Sequence, residues 1–250
     1  MRDDALARLT GLGFDPEAAA ILADHFVEAE RRGRVGHGLT RIDWLESLPG
    51  LDPAARPERL VSEPGYERWD GRGALGYLTL HAIVQAQIAD PPEPARVVVA
   101  SRCFPTGVLG SWARPLAEAG LVGVLTATSP ARLASPEGGP PLAGTNPIAI
   151  AVPSSDGRPL VADASMAKAT HGDVLAGLAR PEDVVPFGAE QAHKAFAIAV
   201  GLEMLVGALA GGEHGAVLVV ARPEHDPVPA LRRLADGVRL PGDRESSTAA

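Results

Sequence analysis

Gly36-His37-Gly38, followed by Arg41, places an imidazole and a guanidinium four residues apart. Imidazole titrates near neutrality and so exchanges a proton with a reacting group, and the flanking glycines leave room for a ligand beside the ring. The guanidinium offers paired donors that match a carboxylate. If the chain is helical from Gly38 onward, His37 and Arg41 share a face and reach one small acid. An ordinary turn carrying one polar side chain before a helix fits the same residues. Asp163 follows the apolar run Leu160-Val161-Ala162, where a strand delivers a carboxylate into a cleft. There it orients or charge-couples to His37, or it caps an element. Lys194 stands ahead of a long apolar stretch, as a phosphate or carboxylate binder or as a solvated surface group. Glu203, within that stretch, reads as one half of a structural ion pair.

Other routes to function find no motif. No Gly-x-Gly-x-x-Gly follows a strand, so the usual Rossmann argument for a dinucleotide is absent. A Gly-x4-Gly-Lys phosphate loop and a His-Glu-x-x-His zinc motif are missing as well. The seven histidines are scattered along the chain, and no metal site is read from them.

The elements that must position these groups follow from periodicity. Ala19, Leu22, Ala23, Phe26 and Val27 recur at helical spacing from Pro16 to Arg32, behind a plausible cap at Asp15. Gly33, Gly36 and Gly38 then break the helix and lead into the segment Leu39 to Leu48. The stretch from Pro49 to Pro64, rich in proline and charge, reads as an exposed crossing. Further helices are expected over Gly76–Ala89, Gly110–Ala119, Ala167–Leu178 and Phe196–Leu209. Strands are expected at Arg96–Ala100, Val122–Thr126, Ile148–Val152, Leu160–Ala162 and Ala216–Val220, the third and fourth forming a hairpin through Pro153 to Gly157. Glu137-Gly138-Gly139-Pro140 reads as a glycine-rich connection. Helices alternating with short strands predict a layered α/β fold.

The 250 residues carry 23 Lys and Arg against 31 Asp and Glu, a net charge of -8 that opposes binding to nucleic acid or anionic lipid. Local basic pockets for small anions remain compatible with it. Charged residues at 22% and apolar ones at 46% describe a folded chain. The single cysteine, Cys103, and an amino-terminal stretch without an apolar core point to the cytoplasm. No stretch of about 20 apolar residues is free of charge, so no membrane association is expected.

Three stretches together resemble the malate and L-lactate dehydrogenase family that lacks the Rossmann fold, the group containing ureidoglycolate dehydrogenases and cyclic imino-acid reductases. GFDPEAAAILADHFVEAERRGRVGHGLTRIDWLESL is similar to the family's first helix and its Ser-His-Gly segment with a downstream arginine. AGTNPIAIAVPSSDGRPLVADAS resembles its Gly-Thr-Asn-Pro strand and the aspartate-bearing strand after it. FGAEQAHKAFAIAVGLEMLVGALAG resembles its lysine-bearing loop and long apolar helix. The order is kept along nearly the whole chain, through GLVGVLTATSP and GVRLPG.

The resemblance implies a non-Rossmann mixed-sheet fold: a helical, substrate-contacting region over residues 1–75, a cofactor-binding region over 76–240 interwoven with it, and a flexible tail over 241–250. It implies a reductase of an imine, an enamine tautomer or a 2-keto acid, with hydride from NADPH or NADH and the proton from His37. Asp163 joins the catalytic set; Arg41, Thr145 and Asn146 meet a carboxylate-bearing substrate; Thr126, Thr128, Ser129 and Lys194 lie at the cofactor. It also implies a homodimer. Gly36 stands where the family has serine, Pro105 where it has a second histidine, Ala127 for an asparagine and Ala195 for a glycine. A non-redox isomerase or cyclase on the same fold, or a ligand-binding homodimer without turnover, are the alternatives these departures leave.

Overall fold

A computed structural model describes residues 1–243. The chain opens with α1 (Arg2–Gly11) and α2 (Pro16–Arg31), a 3-10 turn at Val35–His37 and α3 (Thr40–Ser47). Then come β1 (Glu58–Glu63), β2 (Tyr66–Asp70), α4 (Gly76–Ala89), β3 (Ala95–Ser101), α5 (Leu109–Glu118) and β4 (Val122–Ala127). A small hairpin, β5 (Leu133–Ser135) and β6 (Gly138–Ala143), leads to β7 (Ile148–Val152), β8 (Leu160–Ala164) and the short α6 (His171–Leu175). The long α7 (Ala192–Ala210), β9 (Ala216–Ala221) and α8 (Val228–Ala235) are the last elements among the described residues.

Seven strands form one sheet in the order β1-β2-β3-β9-β4-β7-β8. Only β2 and β3 pair in parallel; every other neighbour is antiparallel. That mixed sheet differs from the parallel, doubly wound sheet of a Rossmann domain. One apolar cluster on one face joins α1, α2, α4 and α5 to the sheet, from Ala5 to Val220, and runs across the expected boundary at residue 75. On β7 the buried residues are Ala149 and Ala151, while Ile150 is exposed; α5 packs over this strand, and small side chains let it approach closely.

On the other face α7 lies across β3, β9 and β4 and the small hairpin. Its buried stripe is Ala195, Ala199, Val206 and Ala210, and the opposite face exposes Ile198, Met204, Leu205 and Leu209. By length and composition the stretch Ala189–Ala210 is apolar enough to cross a membrane.

Three expectations are corrected. The segment read as an exposed crossing contains β1, an edge strand whose exposed, charged residues blunt further pairing. The glycine-rich connection at residues 137–140 is the turn and start of the β5-β6 hairpin. The helix expected over Ala167–Leu178 is reduced to His171–Leu175, where Thr170 and Asp173 cap each other's backbone N–H groups. Of the expected tail, residues 244–250 lie outside the described residues. Residues 241–243 are held against β8, where the Val161 N–H donates to the Pro241 carbonyl at 3.1 Å.

Candidate active site

The Asp15 side chain accepts the Ala18 N–H at 2.8 Å and starts α2, whose far end turns through Gly33 into the Val35–His37 turn. His37 therefore closes that turn, and Arg41 sits in the first turn of the separate helix α3. Glu30 ties the two together by accepting the Leu39 N–H at 3.1 Å. A second wall arrives from α6. A Cβ at Gly36 would stand 2.5 Å from the Asp173 backbone nitrogen, and one at Gly172 would overlap the Gly36 carbonyl. Two glycines thus let the His37 turn and α6 touch backbone to backbone, and a serine at residue 36 has no space there.

Between these walls lies a cavity of about 1020 Å³. His37, Arg41, Asp163, Thr145, Thr128 and Ser129 all line it, so the fold brings together residues far apart in sequence. Seven arginines face it against four carboxylates, Glu28, Asp163, Asp173 and Asp243, although the chain as a whole is acidic. Such a wall favours an anionic ligand.

Three expected residues are placed differently. Asn146 is fully buried beneath the cavity and donates to the Ala199 carbonyl at 2.9 Å and to Glu203 at 2.8 Å, pinning the β7 entry to α7. Glu203 also accepts the Gly144 N–H, so its partners are amides and not a cation. Thr126 is buried outside the cavity lining and donates to the Pro147 carbonyl at 2.9 Å. Lys194 is exposed in the first turn of α7, away from the cavity lining. Thr128 lines the cavity but spends its hydroxyl on Gly215, whose N–H it accepts at 3.0 Å.

The electrostatics of the remaining groups are set by burial. His37 opens partly to the cavity while its Nδ1 is sealed without a partner among the described residues. Desolvation first, then the Arg41 charge, lower its pKa to about 4, with Asp173 opposing; the ring is neutral at pH 7. Arg41 is 9% exposed, has no hydrogen bond or ion pair among the described residues, and lies over the Trp44 ring at 5.3 Å. Asp163 makes no hydrogen bond to His37. It accepts the Gly110 N–H at 2.7 Å in the first turn of α5, and burial raises its pKa.

Sequence reasoning missed a buried aromatic cluster behind His37. His25 of α2 stacks on Trp112 at 4.8 Å, and Tyr77 of α4 meets it edge-on at 5.1 Å. The His25 Nε2 accepts the Val108 N–H at 3.2 Å, and Trp112 donates to the Thr106 carbonyl at 2.8 Å. Together they fix the loop from Phe104 to Val108 along the cavity. The helical spacing of α2 carried a signal, since it puts His25 beside Phe26 and Leu22 on the buried side. A polar residue there needs a reason.

The family profile described as malate/L-lactate dehydrogenase matches residues 1–184. A (2R)-3-sulfolactate dehydrogenase (NADP(+)) of Chromohalobacter salexigens is 33% identical over 176 residues, 68% of this chain and 52% of that protein. A Delta(1)-pyrroline-2-carboxylate/Delta(1)-piperideine-2-carboxylate reductase of Pseudomonas putida is 29% identical over 231 residues, 80% of this chain and 66% of the other. The chain thus spans about half to two thirds of the length of these relatives. The crystal structure of delta1-piperideine-2-carboxylate reductase from Pseudomonas syringae pvar. tomato superposes with a TM-score of 0.83 at 25% identity, covering 97% of this chain and 89% of that one. Malate dehydrogenase from Entamoeba histolytica gives a TM-score of 0.81 at 19% identity, covering 97% and 85%. The match over most of its length establishes that this chain belongs to the malate/L-lactate dehydrogenase family.

Proposed function

We propose that this protein is a NAD(P)H-dependent reductase of a small carboxylate-bearing substrate, either a cyclic imine (or its enamine tautomer) or a 2-keto acid. The observation that carries the reading is the pair of a half-buried, neutral His37 and a buried, cationic Arg41, both without side-chain hydrogen-bond partners among the described residues, on the wall of an arginine-rich cavity. The relatives named for sulfolactate and pyrroline carboxylate support it, since both substrates carry an acidic group.

The residues present fit a phosphate-bearing dinucleotide: the cavity is at the top of the range of about 300–1,000 Å³ for small-molecule sites, and its wall is cationic. Ser129 and the backbone around Thr128, with Arg132 next to them, would hold it. When bound, the nicotinamide supplies hydride. Arg41 holds the substrate carboxylate through paired donors and fixes the face that the reacting carbon presents. His37 governs the proton. Desolvation first and the Arg41 charge second depress the His37 pKa; a carboxylate beside Arg41 offsets the second of these, which favours the ring as the group that passes a proton to the carbonyl oxygen or imine nitrogen. Asp163 fixes the start of α5 and keeps the loop from Phe104 to Leu109 in register with the cavity.

We further place the protein as a cytoplasmic homodimer, a reading supported by its single cysteine and by the apolar side chains exposed along α7. The position of Lys194 outside the cavity favours, as second reading, a ligand-binding protein without turnover. Consumption of reduced nicotinamide with a panel of cyclic imino acids and 2-keto acids separates them. Wild type is expected to consume it and His37→Asn to lose at least a hundredfold in kcat with the fold retained. Ligand binding without consumption would favour the second reading, and equal turnover by both proteins would remove His37 from the reaction.

A further inference from the structure

Tyr77 carries a hydroxyl that packing does not explain. The side chain is 0% exposed, is among the residues around the cavity, and its buried Oη has no hydrogen-bond partner among the described residues. The ring is held edge-on by Phe26 at 5.2 Å and by His25 at 5.1 Å. A Cβ at Gly107 would overlap both the Tyr77 and the His25 rings, so the loop presses its backbone onto this pair. Phenylalanine would fill the same space without burying an unsatisfied polar atom, and such atoms are costly unless something pairs with them.

Arg41 is the complementary group. Its Nε is likewise buried without a partner, and its guanidinium has no ion pair among the described residues. Its charge is near enough to act on the Tyr77 phenol, which burial keeps protonated well above the ordinary range for tyrosine. A cation and a neutral O–H donor on one cavity wall make a donor set for a carboxylate.

We propose that the Tyr77 hydroxyl is a second substrate-holding group, donating a hydrogen bond to the same carboxylate that Arg41 binds; the proposal rests on the reductase reading of this cavity. Tyr77 is then a specificity residue, because the bond it donates is stronger to a charged carboxylate than to the carbonyl of a neutral amide. His25 is a positioning residue. With its Nε2 accepting from Val108, the ring keeps its proton on Nδ1 and sets the edge against which the phenol lies.

The test uses the full-length protein and two probes, pyrrole-2-carboxylate, a planar ring bearing one carboxylate, and pyrrole-2-carboxamide, its neutral counterpart. Calorimetric titration of wild type, Tyr77→Phe and Arg41→Lys gives the affinities. Tyr77→Phe is expected to weaken carboxylate binding about tenfold, to leave the carboxamide within about twofold, and to melt no lower than wild type. Unchanged carboxylate affinity in Tyr77→Phe, with a loss in Arg41→Lys, would overturn the role of Tyr77 and leave the reductase reading standing. Equal losses for both probes would mark Tyr77 as structural and overturn it too. Failure of wild type to bind the carboxylate would bring down both readings. Should Tyr77→Phe not fold, fluorine NMR of wild type labelled with 3-fluorotyrosine decides, since the chain has only two tyrosines. A Tyr77 resonance moved by the carboxylate and not by the carboxamide supports the proposal; one that ignores both overturns it.

Discussion

His25 makes the folded protein acid-sensitive over a range where most carboxylates are still ionised. Burial above all, with a smaller contribution from His37, lowers its pKa from the ordinary 6.5 to about 3 in the folded state. The unfolded chain therefore binds the proton first, and below about pH 6.5 each unit of acidification costs the native state about 1.4 kcal/mol until the folded pKa is reached. The sign follows from linkage: the stabilisation is full above the unfolded value and is lost as pH falls towards about 3. Between pH 7 and pH 5 the loss from His25 is about 2 kcal/mol. His37, lowered to about 4, adds a similar amount in the same direction. His25→Gln isolates the first part, because the longer amide can accept the Val108 N–H and does not titrate. Urea unfolding of both proteins at pH 7 and pH 5 is the assay. The variant is expected to be less stable at pH 7, through lost stacking on Trp112, and to close about 2 kcal/mol of that gap at pH 5. A gap of the same size at both pH values would refute the reasoning, since a buried histidine that titrates normally gives no difference in slope.

Two further substitutions test the cavity walls. Gly36→Ser, which restores the residue expected from the family resemblance, drives a Cβ into the Gly172-Asp173 backbone and is expected to cost about 1–3 kcal/mol in thermal unfolding. An unaltered melting temperature would show that α6 is free to move. For Asp163 the raised pKa means that ionisation costs stability, so its contribution is favourable at low pH and lost as pH rises through the folded value. Asp163→Asn retains an acceptor for the Gly110 N–H and is expected to stabilise the fold at pH 7, with the gain shrinking towards pH 4. A variant less stable than wild type at pH 7 would contradict this.

The helix α2 was readable to within one residue, because a proline, a cap and five apolar residues at helical spacing all agree. The β7-β8 hairpin was equally legible from alternation and its turn. What alternation left open was which face is buried: Ala149 and Ala151 and not the larger isoleucines, since a helix packed on that side demands small residues. β1 was missed because an exposed edge strand has no apolar face to announce it. In the site, His37 and Arg41 stood out through chemistry and glycine context. Tyr77 looked like an ordinary helix position and His25 like a polar residue on a buried face, and their unpaired atoms emerge only from the packing of α2 against α4 and the loop at Gly107. Asn146 misled for the opposite reason: its polarity serves the interior, as a tie to α7.

The strand order also sets a timetable for synthesis. β9, from residue 216 to 221, inserts between β3 and β4, so the ribosome makes the middle of the sheet after both of its flanks. Until that strand emerges, β1-β2-β3 and β4-β7-β8 are two half-sheets with bare inner edges, each able to pair with a strand of another nascent chain. The cavity residues from His37 to Asp173 have all been translated by then, yet Thr128 still lacks Gly215, the partner for its hydroxyl. Assembly of the site therefore waits on a strand that contributes no side chain to it, and then on Arg239 and Asp243, cavity residues that are translated after that strand.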